Sequence, residues 1–185
     1  MILWKVIMVR QMQNYFSHIK AMLSFKNSLV LIALIILFLL IDQLSKFYMI
    51  ELLKTEYSSI NILPFFNFTL VYNTGVSFSF FNSIPWFFVL CFSLIATIFA
   101  VGILLSMMKK IGTVELLVLS LLIAGSCGNI LDRIRYKSVV DFLHVYYAGY
   151  HFPVFNLADC MITLCGALIL FTFVIKNSNQ PENIK

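Results

Sequence analysis

Apolar residues fall in four long blocks, with polar residues crowded into the gaps between them. A helix needs about 20 predominantly apolar residues to cross a bilayer. Windows at about 29–50, 86–108, 114–134 and 156–175 meet that length. Between the first two blocks, and again between the last two, the pattern changes. The stretch "NILPFFNFTLVYNTGVSFSFF" is rich in Phe, Val, Thr and Tyr, with turn residues at Asn73-Thr74-Gly75, which predicts strands around a tight turn. The stretch "SVVDFLHVYYAGYHFPVF" reads the same way, with its turn near Ala148-Gly149. The expected fold is mainly α and integral to a membrane: four transmembrane helices with a small extracytoplasmic β-sheet on the membrane surface. The sheet's rings suit the interface, where aromatic residues are enriched.

Composition supports the membrane reading. The chain has 185 residues, of which 61% are apolar and 11% charged, too few charges to cover a water-exposed surface. One domain is expected at this length. The basic residues are scattered and no nucleic-acid motif is present, so no nucleic-acid partner is expected, whereas the net charge of +5 suits anionic lipid. Lys and Arg excess marks the cytoplasmic side. With the N-terminus inside, that side holds Lys5, Arg10, Lys20, Lys26, Lys109, Lys110, Lys176 and Lys185, against Lys46, Lys54, Arg133, Arg135 and Lys137 outside. Both termini are therefore placed in the cytoplasm. Residues 1–28 form an N-terminal extension, 29–175 the four-span domain and 176–185 a C-terminal tail. The extension reads either as an interfacial amphipathic helix or as a passive tail. No A-x-A-like site follows the first apolar run, so that run is expected to be a retained helix.

The four cysteines, Cys91, Cys127, Cys160 and Cys165, sit in apolar runs without CxxC spacing. They read as small buried hydrophobes, with neither a disulfide nor a zinc site. No cofactor is expected. His144 and His151 flank the second turn and are positioned to hold a metal with Asp141, but surface-sheet histidines are commoner than ligands, so no metal is expected.

The acids are the informative residues, because ionisable groups in membrane spans are expensive and usually functional. Asp42, Glu51, Glu56, Asp132, Asp141 and Asp159 all fall on the outer side or in the outer halves of spans. Asp42 and Lys46 form an i,i+4 pair. It reads as self-neutralising, with Lys46 snorkelling outward, or as orienting a group on another helix. Asn129, Asp132 and Arg133 are read as sharing a face near the end of the third span, and Asp132 beside Arg133 and Arg135 reads first as a structural salt-bridge node. Asp141 interrupts an apolar strand, a setting that raises a carboxyl pKa. Asn156 is an N-cap candidate for the fourth span, which makes Asp159 the third helical residue and able to close a capping box. Asp141 and Asp159 lie at one expected depth, with a reversing segment between them. Two adjacent carboxylates share a proton and work as base and acid together.

The blocks "DQLSK" (42–46), "YNTGVSFSF" (72–80), "GNILDR" (128–133), "VVDF" (139–142) and "FNLAD" (155–159) resemble, in order and spacing, the motifs of lipoprotein signal peptidase, also called signal peptidase II. The likeness spans about residues 29–175. It implies a four-span aspartic endopeptidase of the bacterial inner membrane that cuts prolipoprotein signal peptides just before a diacylglyceryl cysteine and is inhibited by globomycin. It implies Asp141 and Asp159 as the catalytic pair, and Asn73, Asn129, Asp132, Arg133 and Asn156 as residues that line the site or support the pair. Asp42 and Lys46 join that supporting set, the partners are prolipoprotein and lipid, and a monomer is expected. The chain departs from the pattern at Ser138, where Gly is usual, and at Ser126-Cys127. Two other readings are a proton-coupled transporter component, with Asp42, Asp132 and Asp159 as a relay, and a structural membrane protein whose charges only cap and pair.

Overall fold

The computed structural model describes residues 4, 7–14, 17, 25–75, 85–107 and 112–178. Among the described residues from Phe25 on, four helices and four strands follow one another in the order α1 (Phe25–Leu53), β1 (Ser59–Leu63), β2 (Phe66–Asn73), α2 (Trp86–Met107), α3 (Thr113–Tyr136), β3 (Val139–Tyr147), β4 (Tyr150–His151) and α4 (Leu157–Ser178). Residues 7–14 are helical, with Ile7, Met8, Val9 and Met12 exposed. Much of the 1–28 extension, the basic loop at 108–111 and the tail beyond 178 lie outside the described residues.

Three helices, Phe25–Leu53, Trp86–Ser106 and Thr113–Tyr136, are long and apolar enough to cross a membrane. In α4 the corresponding stretch among the described residues, Leu157–Phe171, is shorter. The helices divide their roles by burial. In the most apolar window of α3, 61% of residues are buried, against 6% in α1 and 11% in α2. So α3 is the central post, and α1, α2 and α4 pack around it. Its Leu116, Leu119, Leu122 and Ala124 form the main core with Leu104 of α2 and Met161 and Cys165 of α4. The apolar residues that α1 and α2 leave exposed, among them Ile36, Leu40, Phe92 and Ile98, face away from this core.

Two glycines let the helices approach so closely. A Cβ at Gly125 would lie 2.7 Å from the Ala158 carbonyl oxygen, and one at Gly128 would collide with the Asp42 carboxylate. Both α1 and the start of α4 therefore meet the α3 backbone where no side chain intervenes.

The strands form one antiparallel sheet in the order β1-β2-β3-β4. Leu53 at the end of α1 packs with Leu70 of β2 and Val140 of β3, all buried, which docks the sheet on the helices. The second turn is where the sequence puts it: Ala148 (φ 49) and Gly149 (φ 81) both have positive φ, as a tight two-residue hairpin requires. Between β1 and β2 the described residues show a further turn that the sequence reading did not name. The chain reverses at Pro64-Phe65, because Pro64 cannot donate to a ladder. Asn73-Thr74-Gly75 ends β2, where the Asn73 side chain accepts from the Gly75 N–H at 3.0 Å, a local turn typical of Asn. The expected second arm, 76–80, lies outside the described residues.

Candidate active site

The site begins at the N-terminus of α4. The first N–H groups of a helix lack partners within it, and three side chains supply them. Asn156 accepts from the Asp159 N–H at 2.9 Å, and Asp159 reaches back to the Asn156 N–H at 3.3 Å. This is the reciprocal box expected from the sequence. The Ala158 N–H donates to Oδ1 of Asp42, 116 positions away on α1, at 2.9 Å.

Asn156 also reaches β3, donating from Nδ2 to Oδ1 of Asp141 at 2.6 Å. Asn73 Nδ2 donates to the other oxygen of Asp141 at 3.1 Å. The register explains this second contact: Asn73 lies opposite Val139 and Val71 opposite Asp141, so Asn73 and Asp141 are diagonal neighbours on one face. Asn129 of α3 donates from Nδ2 to Oδ1 of Asp159 at 2.9 Å. Two asparagine amides thus support Asp141 and one supports Asp159, and Asn156 touches both acids.

Lys46 fixes the direction of this network. Its ammonium has only donors, and it meets Asp42 at 2.9 Å, Asp132 at 2.8 Å and Asn129 Oδ1 at 3.1 Å. Asn129 must therefore turn its oxygen toward Lys46 and its nitrogen toward Asp159. Asp132 also accepts from the Val140 N–H at 3.2 Å, next to Asp141, and Gln43 donates to both Asp132 and Asp42. Asp42, Lys46 and Asp132 are at most 2% exposed.

These contacts correct two expectations. Lys46 does not snorkel outward; a second carboxylate and an amide hold it inside, so the pair orients groups on other helices. Asp132 pairs with Lys46 and not with Arg133, because adjacent residues on a helix point different ways. Arg133 donates instead to the Asn129 and Gly75 carbonyl oxygens, both at 3.2 Å, tying the end of β2 to α3. A third correction concerns the cysteines. Cys160, one residue after Asp159, is exposed on the wall of the cavity described next.

A cavity of about 1020 Å³ lies between α2, α3, α4 and β3. Its polar end carries Asp141, Asp159, Asn73, Asn129 and Arg133; toward Ala100, Leu122 and Ala167 it becomes apolar. Asp141 is 2% exposed, and Asp159 is only partly buried. Burial, and next the charge of Asp159, push the Asp141 carboxyl up to about 7, outweighing the Asn73 and Asn156 hydrogen bonds and Lys46. Side chains alternate along β3, so His144 points to the opposite face from Asp141, toward Thr69 and His151. The metal triad considered for these three residues is therefore not formed. The structure thus brings together Asp42, Lys46, Asn73, Asn129, Asp132, Arg133, Asp141, Asn156 and Asp159. Sequence reasoning missed Gln43 and Gly128, whose only signals were their places inside "DQLSK" and "GNILDR".

A family model described as signal peptidase (SPase) II matches residues 34–175. A lipoprotein signal peptidase of Pseudoalteromonas translucida (strain TAC 125) is 38% identical over 156 residues, 80% of this chain and 90% of that protein. One of Acinetobacter baumannii (strain ATCC 17978) is 36% identical over 164 residues, 86% of this chain and 91% of that protein. A bacterial membrane enzyme structure obtained by the in meso method at 2.3 Å resolution superposes with a TM-score of 0.68 at 29% identity, covering 84% of this chain and 93% of that one.

Proposed function

The chain belongs to the signal peptidase II family, and from that premise we propose that it removes the signal peptides of bacterial prolipoproteins with Asp141 and Asp159 as its catalytic pair. The observation that carries this reading is the convergence of the two acids at the polar end of one cavity, joined through Asn156. In the working state the pair holds one proton. Asp159, at a helix N-terminus whose dipole favours negative charge and open to the cavity, takes a proton from the attacking water. Asp141, buried and titrating near 7, keeps its proton, polarises the scissile carbonyl and then serves the departing amine. Asn73, Asn129 and Asn156 hold the carboxylates in register, and Asp42, Lys46 and Asp132 hold the asparagines. Arg133 closes the polar end. The apolar depth of the cavity takes the hydrophobic part of a substrate presented from the bilayer, a cysteine carrying diacylglycerol among its groups.

The enzyme sits in the bacterial inner membrane, with lipid against the exposed faces of α1 and α2. At about 1.5 Å per residue, the 22 residues of α4 are about 33 Å long, which supports a fourth span. Both termini are then cytoplasmic, and the sheet and active site lie at the extracytoplasmic surface. The test is cleavage of a lipid-modified prolipoprotein peptide by Asp141→Asn and Asp159→Asn variants that remain folded and inserted. Each should lose about 10³-fold or more of the rate, and wild-type cleavage should be blocked by globomycin. Full activity in either variant would remove that residue from the pair.

A further inference from the structure

The side of β3 that faces away from Asp141 carries a second cluster, which the peptidase reading does not use. His144 Nε2 and His151 Nδ1 lie 3.1 Å apart across the β3–β4 hairpin. We propose that these two facing imidazoles form a site for a borderline transition-metal ion such as Zn²⁺, Ni²⁺ or Cu²⁺, and that the bound ion clamps the hairpin leading into the cavity wall.

The geometry and chemistry agree. Imidazole nitrogens suit Zn, Cu and Ni. Two nitrogens each about 2.0–2.1 Å from a tetrahedral ion are separated by about 3.3 Å, so the observed spacing needs only a small adjustment. A ligating histidine normally has its other ring nitrogen held by a hydrogen-bonding partner, which fixes the tautomer. Here His144 Nδ1 is 3.3 Å from Thr69 Oγ1, which is 2.9 Å from Ser59 Oγ. With Nδ1 donating into that chain of partners across β2 and β1, His144 Nε2 is the acceptor facing His151 Nδ1, whose proton a bound ion would displace. Tyr146 stacks on His151 with ring centroids 5.4 Å apart, and its hydroxyl donates to Asn67, so it orients the ring and is not a third ligand. Water fills the remaining positions.

The position gives the site a consequence. Phe152, Pro153 and Phe155, which follow His151 directly, line the cavity. Phe152 donates to the Val145 carbonyl at 2.9 Å, and Phe155 exchanges backbone hydrogen bonds with Leu143. An ion joining His144 to His151 fixes the return strand just before this wall.

The experiment is calorimetric titration of the detergent-solubilised full chain with Zn²⁺, and separately Ni²⁺, at pH 7.5, with thermal unfolding alongside. One ion should bind per chain and raise the unfolding temperature. His144→Ala and His151→Ala should each weaken binding at least tenfold and abolish the thermal shift while keeping metal-free peptidase activity. Wild type at pH 5 should bind as weakly as the variants, because protonated imidazoles do not ligate, a result that does not depend on how a variant folds. Undiminished affinity in both variants, or no binding at millimolar Zn²⁺, overturns the site. Either result leaves the peptidase assignment standing.

Discussion

Asn156 donates to Asp141 at 2.6 Å across the gap between α4 and β3, while its own oxygen caps the N–H of Asp159. One side chain thus sets the relative position of both acids. Asn156→Ala removes the bridge and a helix cap, the latter worth about 1 kcal/mol. We expect kcat to fall about 10²–10³-fold with a much smaller change in KM. Steady-state kinetics on a lipidated peptide separate the two, and an effect confined to KM would place Asn156 in substrate binding alone.

Burial pushes the Asp141 carboxyl up to about 7, and the proposed pair works with that proton in place. Activity should therefore decline as pH rises through about 7, with apparent values that belong to the pair. Stability moves the same way. A carboxyl raised from 3.8 to about 7 contributes fully below 3.8 and loses that contribution as pH rises to 7. At about 1.4 kcal/mol per pH unit, the loss is on the order of 4 kcal/mol. Asp141→Asn should thus melt higher than wild type at pH 8 and lose this advantage at pH 4, which thermal unfolding across that range can read.

Lys46 is the cation shared by Asp42 and Asp132. Lys46→Met leaves two carboxylates buried and unneutralised, a loss of about 3–5 kcal/mol. Adding Asp132→Asn should restore part of the melting temperature. No recovery in the double variant would show that Lys46 acts by packing alone.

Gly128→Ala drives a methyl group into the Asp42 carboxylate and pulls the cap from Ala158. Overpacking of this kind costs about 1–3 kcal/mol, and cleavage should fall with it. Gly102→Ala on α2 meets nothing within 4 Å and is the control: it should be neutral or stabilise the helix by up to about 1 kcal/mol. Parallel melts of the two variants decide whether close approach or helix propensity governs Gly128.

The helices and the acids of the site were legible in the sequence because membrane spans are long, and charges within them stand out. The Asn156–Asp159 box was readable for a local reason, a spacing of three residues. The partners of Lys46 were not. Periodicity puts Asp42 and Lys46 on one face of α1 but says nothing of Asp132 and Asn129, more than 80 positions on, which depend on how α1 meets α3. The turn at Pro64-Phe65 was passed over because Asn73-Thr74-Gly75 is the louder turn signal, and only the pairing of β1 with β2 reveals the reversal at Pro64. Gln43 was passed over because a neutral amide beside an ion pair looks incidental until its two carboxylate partners are seen.

The bond from Asp42 to the Ala158 N–H also makes the start of the last helix depend on the first. Asp42 lies on the first of the four long helices and Ala158 at the start of the last, 116 positions on. That final helix brings Asn156 and Asp159 with it, so a partly made chain holds no complete site. A chain that stops short of α4 therefore lacks the donor that Asp42 caps and one member of the proposed pair.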